Sequence, residues 1–265
     1  MPKISLTTLR DMKQAQEKIA VLTAYDASFA RILEAASIEV LLVGDSLGNV
    51  IQGHGSTLPV TVNDIIYHTR AVTRAVQSSL VVADMPFMSY STPTLALENA
   101  ARIMQEGGAH VVKLEGGKPF IETVLALSQH GIPVCAHLGL LPQSVHKLGG
   151  YRVQGRDDKS AQDILDDALA LQEAGADMLV LECVPSDLAQ KVTEELTIPV
   201  IGIGAGPHCD GQVLVLYDML GMYKDKPSRF VQDFLQGQPS IHAAVESYVR
   251  AVKSGAFPDS THSFS

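Results

Sequence analysis

Short apolar runs in this chain stop abruptly on an acidic or chelating side chain: VLTAYD at Asp26, VLLVGD at Asp45, VVADMP around Asp84, VVKLEG around Glu115, PVCAHLG around His137 and MLVLEC around Glu182. Asp45, Asp84 and Glu115 close three successive runs. If those runs are neighbouring strands, three carboxylates meet within a few ångströms, and such a cluster repels itself unless a cation neutralises it. Hard oxygen donors without a His/Cys cluster favour Mg2+ over zinc, with substrate oxygens and water completing an octahedron. The competing reading is that each acid caps the helix that follows it. One acid alone would be read that way; three on successive runs favour the metal.

Lys113 lies two residues before Glu115, so in a strand both point to the same face. A lysine there needs an anion. It either neutralises the acids or meets a substrate carboxylate or oxyanion, and the two roles are compatible. Glu182 ends the sixth run, across from the acid cluster. A carboxylate partly withdrawn from water suits a general base better than a metal ligand, with a helix cap as the alternative. His137 and His54 are weaker candidates, because a histidine satisfied structurally is the commoner use.

The runs that hold these residues are four to eight residues long, rich in β-branched side chains and without alternation. That pattern marks strands buried on both faces, and the stretches between them are long enough for helices. The expected elements are a helix over Thr8 to Glu17, then strands in IAVLTAYD, EVLLVGD, SLVVADMP, AHVVKLEG, IPVCAHLG, DMLVLEC and IPVIGIGAG. Asn63 or Asp64 is expected to cap a helix reaching Arg74, and Pro93 to open another. A helix from Pro119 to His130 should stop at Gly131, and one from near Ser160 at Gly175. VLVLYDML must supply strand eight, but only PHCDGQ separates it from strand seven, too little for a standard helix. Either that crossover is a single short turn or closure is irregular. The tail from Lys226 to Lys253 carries helical patterns that complete the outer ring or pack on another subunit. The whole, residues 1–265, reads as one α/β domain, a (β/α)8 barrel of the triosephosphate isomerase type, whose chemistry gathers at the strands' C-terminal ends.

Composition agrees. Hydrophobic residues make up 46% of the 265, aromatics only 5% and Trp is absent, so the core is built from aliphatic layers suited to a barrel interior. A formal charge of −9 without a basic block argues against nucleic acid or an anionic membrane as partner. Cys135, Cys183 and Cys209 form no CxxC pair and read as buried structural thiols. With no leader pattern and no long apolar run, a cytoplasmic location is expected. GIGAG at Gly202 to Gly206 lacks the spacing of a dinucleotide fingerprint, and its glycines read as letting backbone and loops approach a ligand closely at the seventh rim.

VGDSLG (Val43 to Gly48), QGHGSTLPVT (Gln52 to Thr61), ADMPFMSY (Ala83 to Tyr90), KLEGG (Lys113 to Gly117), PVCAHLGLLPQS (Pro133 to Ser144), GGYRVQGR (Gly149 to Arg156), LVLECVP (Leu179 to Pro185) and the stretch Ile198 to Val215 stand in one order. Together they resemble the ketopantoate hydroxymethyltransferase family. That resemblance implies a Mg2+-dependent barrel enzyme of pantothenate biosynthesis, moving a one-carbon unit from 5,10-methylenetetrahydrofolate to 3-methyl-2-oxobutanoate through an enolate to give 2-dehydropantoate. It implies Asp45, Asp84 and Glu115 as metal residues, and Asp45, Ser46, Asp84 and Lys113 as contacts of the oxoacid. It makes Glu182 the proton acceptor, with His137 orienting a neighbouring group, and the assembly a homodecamer of two pentameric rings. The chain departs from the family pattern at Gly55, Ala136, Leu141 and Thr261, none of them a proposed catalytic side chain. Two other readings stand beside it: a related metal-dependent barrel acting on phosphoenolpyruvate-like or 2-methylcitrate-type acids, and a noncatalytic binding protein whose acids cap helices.

Overall fold

A computed structural model of the chain describes residues 2–150, 152–223 and 226–265. Among them eight parallel strands close into a barrel in sequence order: β1 Ile19–Thr23, β2 Val40–Val43, β3 Leu80–Asp84, β4 Val111–Glu115, β5 Val134–Gly139, β6 Met178–Glu182, β7 Val200–Ile203 and β8 Gly211–Leu214. The molecule is a single-domain (β/α)8 barrel. The helices are α1 Leu6–Gln14, α2 Ala27–Ala35, α3 Leu47–Val50, α4 Val62–Thr73, α5 Pro93–Arg102 and α6 Ile121–Gln129. They continue with α7 Val145–Leu148, α8 Asp158–Glu173, α9 Ser186–Glu195, α10 Leu216–Met219 and α11 Ile241–Lys253.

Strand periodicity sorts the apolar residues into two cores. Ala20, Leu22, Leu41, Val43, Val81, Val112 and their equivalents face the helices. Val21, Val40, Leu42, Val82, Val111, Cys135, Met178, Val180, Ile201 and Val213 fill the barrel interior, where Leu9 and Met12 of α1 join them and plug one end. The alternation carries through to the opposite end: beyond Val82 the next inward position on β3 is Asp84, and beyond Val111 on β4 come Lys113 and then Glu115. Burial on both faces is why these strands show no polar alternation in the sequence.

Two expectations are corrected and one open alternative is decided. Neither Asn63 nor Asp64 caps α4. The cap is Thr61, still in extended backbone, whose hydroxyl accepts from the Asp64 N–H while Asp64 Oδ2 accepts from the Thr61 N–H. Strand eight begins earlier than VLVLYDML, because Gly211 pairs with Ile19 and Val213 with Val21, and residues 216–219 turn into α10. Gly211 is required there: a Cβ would run into the Ile19 carbonyl. The seventh crossover, residues 204–210, holds no helix, so the irregularity lies in that connection and not in closure of the sheet.

The C-terminal tail completes the outer ring. α11 lies against β1 and α2, and the buried Tyr248 hydroxyl reaches the Val21 carbonyl at 2.9 Å and the Gln212 carbonyl at 2.8 Å, spanning the β1–β8 seam. No helix of the described residues is long and apolar enough to cross a membrane.

Candidate active site

The acids that close the strands do not cap helices, with one exception. Asp26 caps α2, its Oδ1 accepting from the Ser28 and Phe29 N–H groups. By contrast α5 is capped by Thr92, and α3, α6 and α9 have no side-chain cap at all. Asp45, Asp84, Glu115 and Glu182 instead line one cavity of about 490 Å³ at the C-terminal end of the barrel, together with Ser46, Lys113 and His137. The helix-capping alternative therefore fails for all four.

Within the cavity Asp84 is the centre of charge pairing. Its Oδ1 accepts from Lys113 Nζ at 2.6 Å and its Oδ2 from the Asp45 N–H at 2.9 Å. Lys113 is 4% exposed, Asp84 2%, Asp45 4% and Glu115 3%, so their charges interact with little screening by water. Burial works against the lysine's charge, but Asp84, Glu115 and Asp45 outweigh it and hold the ammonium above its ordinary range. Burial, followed by the neighbouring Asp84 and Glu115, pushes Asp45 well above the usual carboxylate range. Glu115 goes the other way: burial would raise it, but His137, Lys113 and the Gln143 N–H hold it below its ordinary value.

His137 stands between two acids on the strands beside its own. Its Nδ1 is 3.5 Å from Glu115 Oε1 and its Nε2 3.3 Å from Glu182 Oε2. Burial would lower its affinity for protons, but the two glutamates raise it to about 9. Neither contact has the alignment of a full hydrogen bond, and Glu115 Oε1 is itself a buried oxygen without a hydrogen-bond partner. Glu182 is accordingly across the barrel from Asp45 on β2, as its place in the sequence suggests, yet only two strands from Glu115, with His137 between them. Immediately after it, Cys183 sits in left-handed backbone at φ 48°, where a side chain other than glycine is uncommon. Its N–H donates to the Ile203 carbonyl and its own carbonyl accepts from the Gln154 N–H. All three cysteines are buried free thiols, as expected.

Three further side chains belong here that sequence reasoning did not single out. Gln143, 6% exposed in the turn after β5, donates through Nε2 to Asp45 Oδ2 at 2.8 Å and to the Met85 carbonyl at 3.0 Å. Its backbone N–H donates to Glu115 Oε2 at 3.0 Å. The Tyr90 hydroxyl donates to Gln143 Oε1 at 2.6 Å, and the Tyr25 hydroxyl lies 2.8 Å from Ser46 Oγ. Gln143 and Tyr90 fall inside motifs quoted above, but nothing in their spacing announces a hydrogen-bond role.

The outer part of the cavity is lined by Arg152, Val153, Arg229, Phe230 and Phe264. Phe230 and Phe264 close in on Gly204, which is left-handed at φ 61° and leaves no room for a Cβ beside either ring. The Phe264 carbonyl accepts from the Ser186 N–H, and Arg229 lies over the Phe264 ring while bonding the carbonyls of Ser260 and Thr261. His54 is exposed and does not line the cavity. Tyr151, within GGYRVQGR, lies outside the described residues.

Among the described residues no three His, Cys, Asp or Glu side chains are already closed around one ion-sized point. The donor chemistry nonetheless fits Mg2+. Asp45 and Glu115 each have one oxygen held by Gln143, and among the described residues Glu115 Oε1 is buried without a hydrogen-bond partner. Both acids are hard donors in a buried site with more carboxylates than cations, which is what this cation selects.

Comparison with known proteins followed the same direction. The family model described as ketopantoate hydroxymethyltransferase matches residues 3–260. A 3-methyl-2-oxobutanoate hydroxymethyltransferase from Nitrosococcus oceani is 61% identical over 258 residues, covering 97% of this chain and 98% of that one. A second, from Hahella chejuensis, is 57% identical, covering 98% of each. Among solved structures, a phosphoenolpyruvate phosphomutase from Streptomyces platensis superposes with a TM-score of 0.61 at 16% identity, over 82% of this chain and 83% of that one, a likeness of fold alone.

Proposed function

From the premise that the chain belongs to the ketopantoate hydroxymethyltransferase family, we propose that it transfers a one-carbon unit from 5,10-methylenetetrahydrofolate to 3-methyl-2-oxobutanoate, giving 2-dehydropantoate. The observation that carries this reading is the convergence of Asp45, Asp84, Lys113, Glu115, His137 and Glu182 on one cavity, with none of the acids used to cap a helix.

Glu182, whose side chain is 13% exposed and held beside His137, takes the proton from C3 of the oxoacid. Water adds to the folate methylene carbon and its two bonds to the folate nitrogens break, each nitrogen taking a proton, to give tetrahydrofolate and formaldehyde. The electron pair left on C3 then bonds to that carbon as its C=O π bond opens, and the resulting alkoxide takes the proton held by Glu182 to become the hydroxymethyl group. Asp45 and Glu115, with Asp84 behind them, would hold a Mg2+ ion. When bound, that ion supplies Lewis-acid polarisation of the substrate's keto oxygen. Lys113, anchored on Asp84, supports negative charge developing on the oxoacid, and Ser46 contributes a hydroxyl at the same wall. His137 keeps the base oriented. The apolar floor of Leu42, Val180 and Val213 suits the branched end of this acid and excludes water from the reacting carbon.

Two measurements test the proposal. Formation of 2-dehydropantoate should require both substrates and a divalent cation. In Glu182→Gln, exchange of the C3 proton with deuterated water should vanish while cation-dependent binding of the oxoacid persists; undiminished exchange would remove Glu182 from its role. Assembly as a homodecamer is proposed on the family resemblance, and sedimentation of the purified chain checks it; a cytoplasmic location is proposed beside it.

A further inference from the structure

Both ends of the Gln143 side-chain amide and its backbone N–H are hydrogen-bonded inside the site, and the pattern fixes its orientation. The Met85 carbonyl can only accept, so the amide nitrogen must face it; the same nitrogen then donates its second hydrogen to Asp45 Oδ2, 2.8 Å away. The opposite end of the amide accepts from the Tyr90 hydroxyl at 2.6 Å. That hydroxyl in turn accepts from the Glu115 N–H at 3.3 Å. One residue therefore touches both Asp45, at the end of β2, and Glu115, at the end of β4, using its side chain for the first and its backbone N–H for the second.

The consequence is a choice of oxygen. A free carboxylate presents either oxygen, or both, to a cation. Here Asp45 Oδ2 and Glu115 Oε2 are occupied by Gln143, which leaves Asp45 Oδ1 and Glu115 Oε1 as the oxygens it does not hold; among the described residues Glu115 Oε1 is buried without a hydrogen-bond partner, 3.5 Å from His137 Nδ1. We propose that Gln143 is a positioning residue: it holds one oxygen each of Asp45 and Glu115, leaves each acid a single oxygen to offer a cation, and so sets the geometry in which a divalent cation and the oxoacid bind together. This rests on the metal-dependent reading given above. Gln143 is not among the residues that line the cavity, so its effect runs through the two acids it holds.

The test is calorimetric titration of Mg2+ into the full-length protein in the presence of 3-methyl-2-oxobutanoate, alongside Mn2+ electron paramagnetic resonance as a measure of ligand geometry. Gln143→Glu keeps the shape and the bond from Tyr90 but replaces the donor facing Asp45 and Met85 with acceptors. Groups that orient metal ligands are typically worth about 10–100-fold in metal affinity, so Mg2+ affinity in Gln143→Glu should fall by at least about 10-fold, with an altered Mn2+ spectrum. Tyr90→Phe, which removes the anchor but leaves the amide, serves where Gln143→Glu does not fold and should show the same changes more weakly. A wild-type protein that does not bind Mg2+ with the oxoacid would overturn the reading of the site and this inference together. Wild-type binding matched by equally tight binding and an unchanged Mn2+ spectrum in the variants would overturn the inference alone, whatever their thermal stability.

Discussion

Replacing Lys113 by Met measures how far this site is held together by opposed charges. The lysine is almost fully buried and its ammonium sits 2.6 Å from Asp84, with Asp45 and Glu115 in the same cavity. Methionine fills a similar volume, so what is lost is charge and not packing. Removing one partner of a buried ion pair costs about 3–5 kcal/mol, because the other charge is left uncompensated. At roughly 2–4 °C per kcal/mol for a chain near this size, the midpoint of thermal unfolding should fall by about 6–20 °C in metal-free buffer. The loss should also depend on pH in a defined sense. Without the ammonium, the acids bind protons more tightly in the folded chain than in the unfolded one. A group raised in this way favours folding below its unfolded pKa, and that contribution disappears as pH rises through its folded pKa. The deficit of Lys113→Met against wild type should therefore be smallest in acid and grow towards neutral pH. Adding Mg2+ should return part of it, since a second cation then replaces the first. Scanning calorimetry across pH, with and without Mg2+, reads all of this. A midpoint equal to that of wild type, or a fall indifferent to both pH and cation, would refute the account of the site as a charge-balanced cluster.

Asp45→Asn should act in the opposite direction on the empty protein: it removes a charge that burial and two neighbouring acids oppose, so the metal-free chain should unfold at a higher temperature while its Mg2+ affinity drops. Glu34 accepts the N–H groups of Gln77, Ser78 and Ser79 through Oε1, and despite partial burial these bonds hold its carboxyl below the ordinary value. Its stabilisation is present above the unfolded glutamate pKa of about 4.3 and is lost as pH falls through the folded one, so Glu34→Gln should flatten the acid side of the stability profile in urea titrations. Tyr248→Phe deletes one hydroxyl shared by two buried carbonyls and should cost about 0.5–1.5 kcal/mol without altering the midpoint's response to Mg2+; a change in that response would tie the seam to the site.

The parts of this molecule that follow from local rules could be read from the sequence. Strands buried on both faces appear as unbroken β-branched runs, and the residue at which each run turns acidic is where the barrel interior opens to its mouth, which is how Asp45, Asp84 and Glu115 declared themselves. The two-residue spacing of Lys113 and Glu115 placed both inside. What depends on tertiary contact could not be read. Thr61 caps α4 because the chain is still extended there, a conformation that composition does not distinguish from that at Asn63. Strand eight starts at Gly211 because its register is dictated by Ile19, nearly two hundred residues earlier in the chain by the pairing given above. Gln143 is one polar residue in a glycine-rich excursion, and its importance arises only when β2, β4 and that turn are brought together. Glu182 and Glu115 look remote until strand order puts His137 between them.

The Tyr248 hydroxyl bears on how the chain is made. Its bond to Val21 joins residues 227 positions apart, and the Leu216 N–H bonds Thr23 Oγ1 across 193. During synthesis β1 waits for β8, nearly two hundred residues behind it, carrying meanwhile an unpaired edge of the kind that recruits other chains. The clasp on that edge is delivered by α11, which is made later still. Nascent chains stalled before Ile241 should accordingly be cut by protease near β1, and chains released beyond Lys253 should resist.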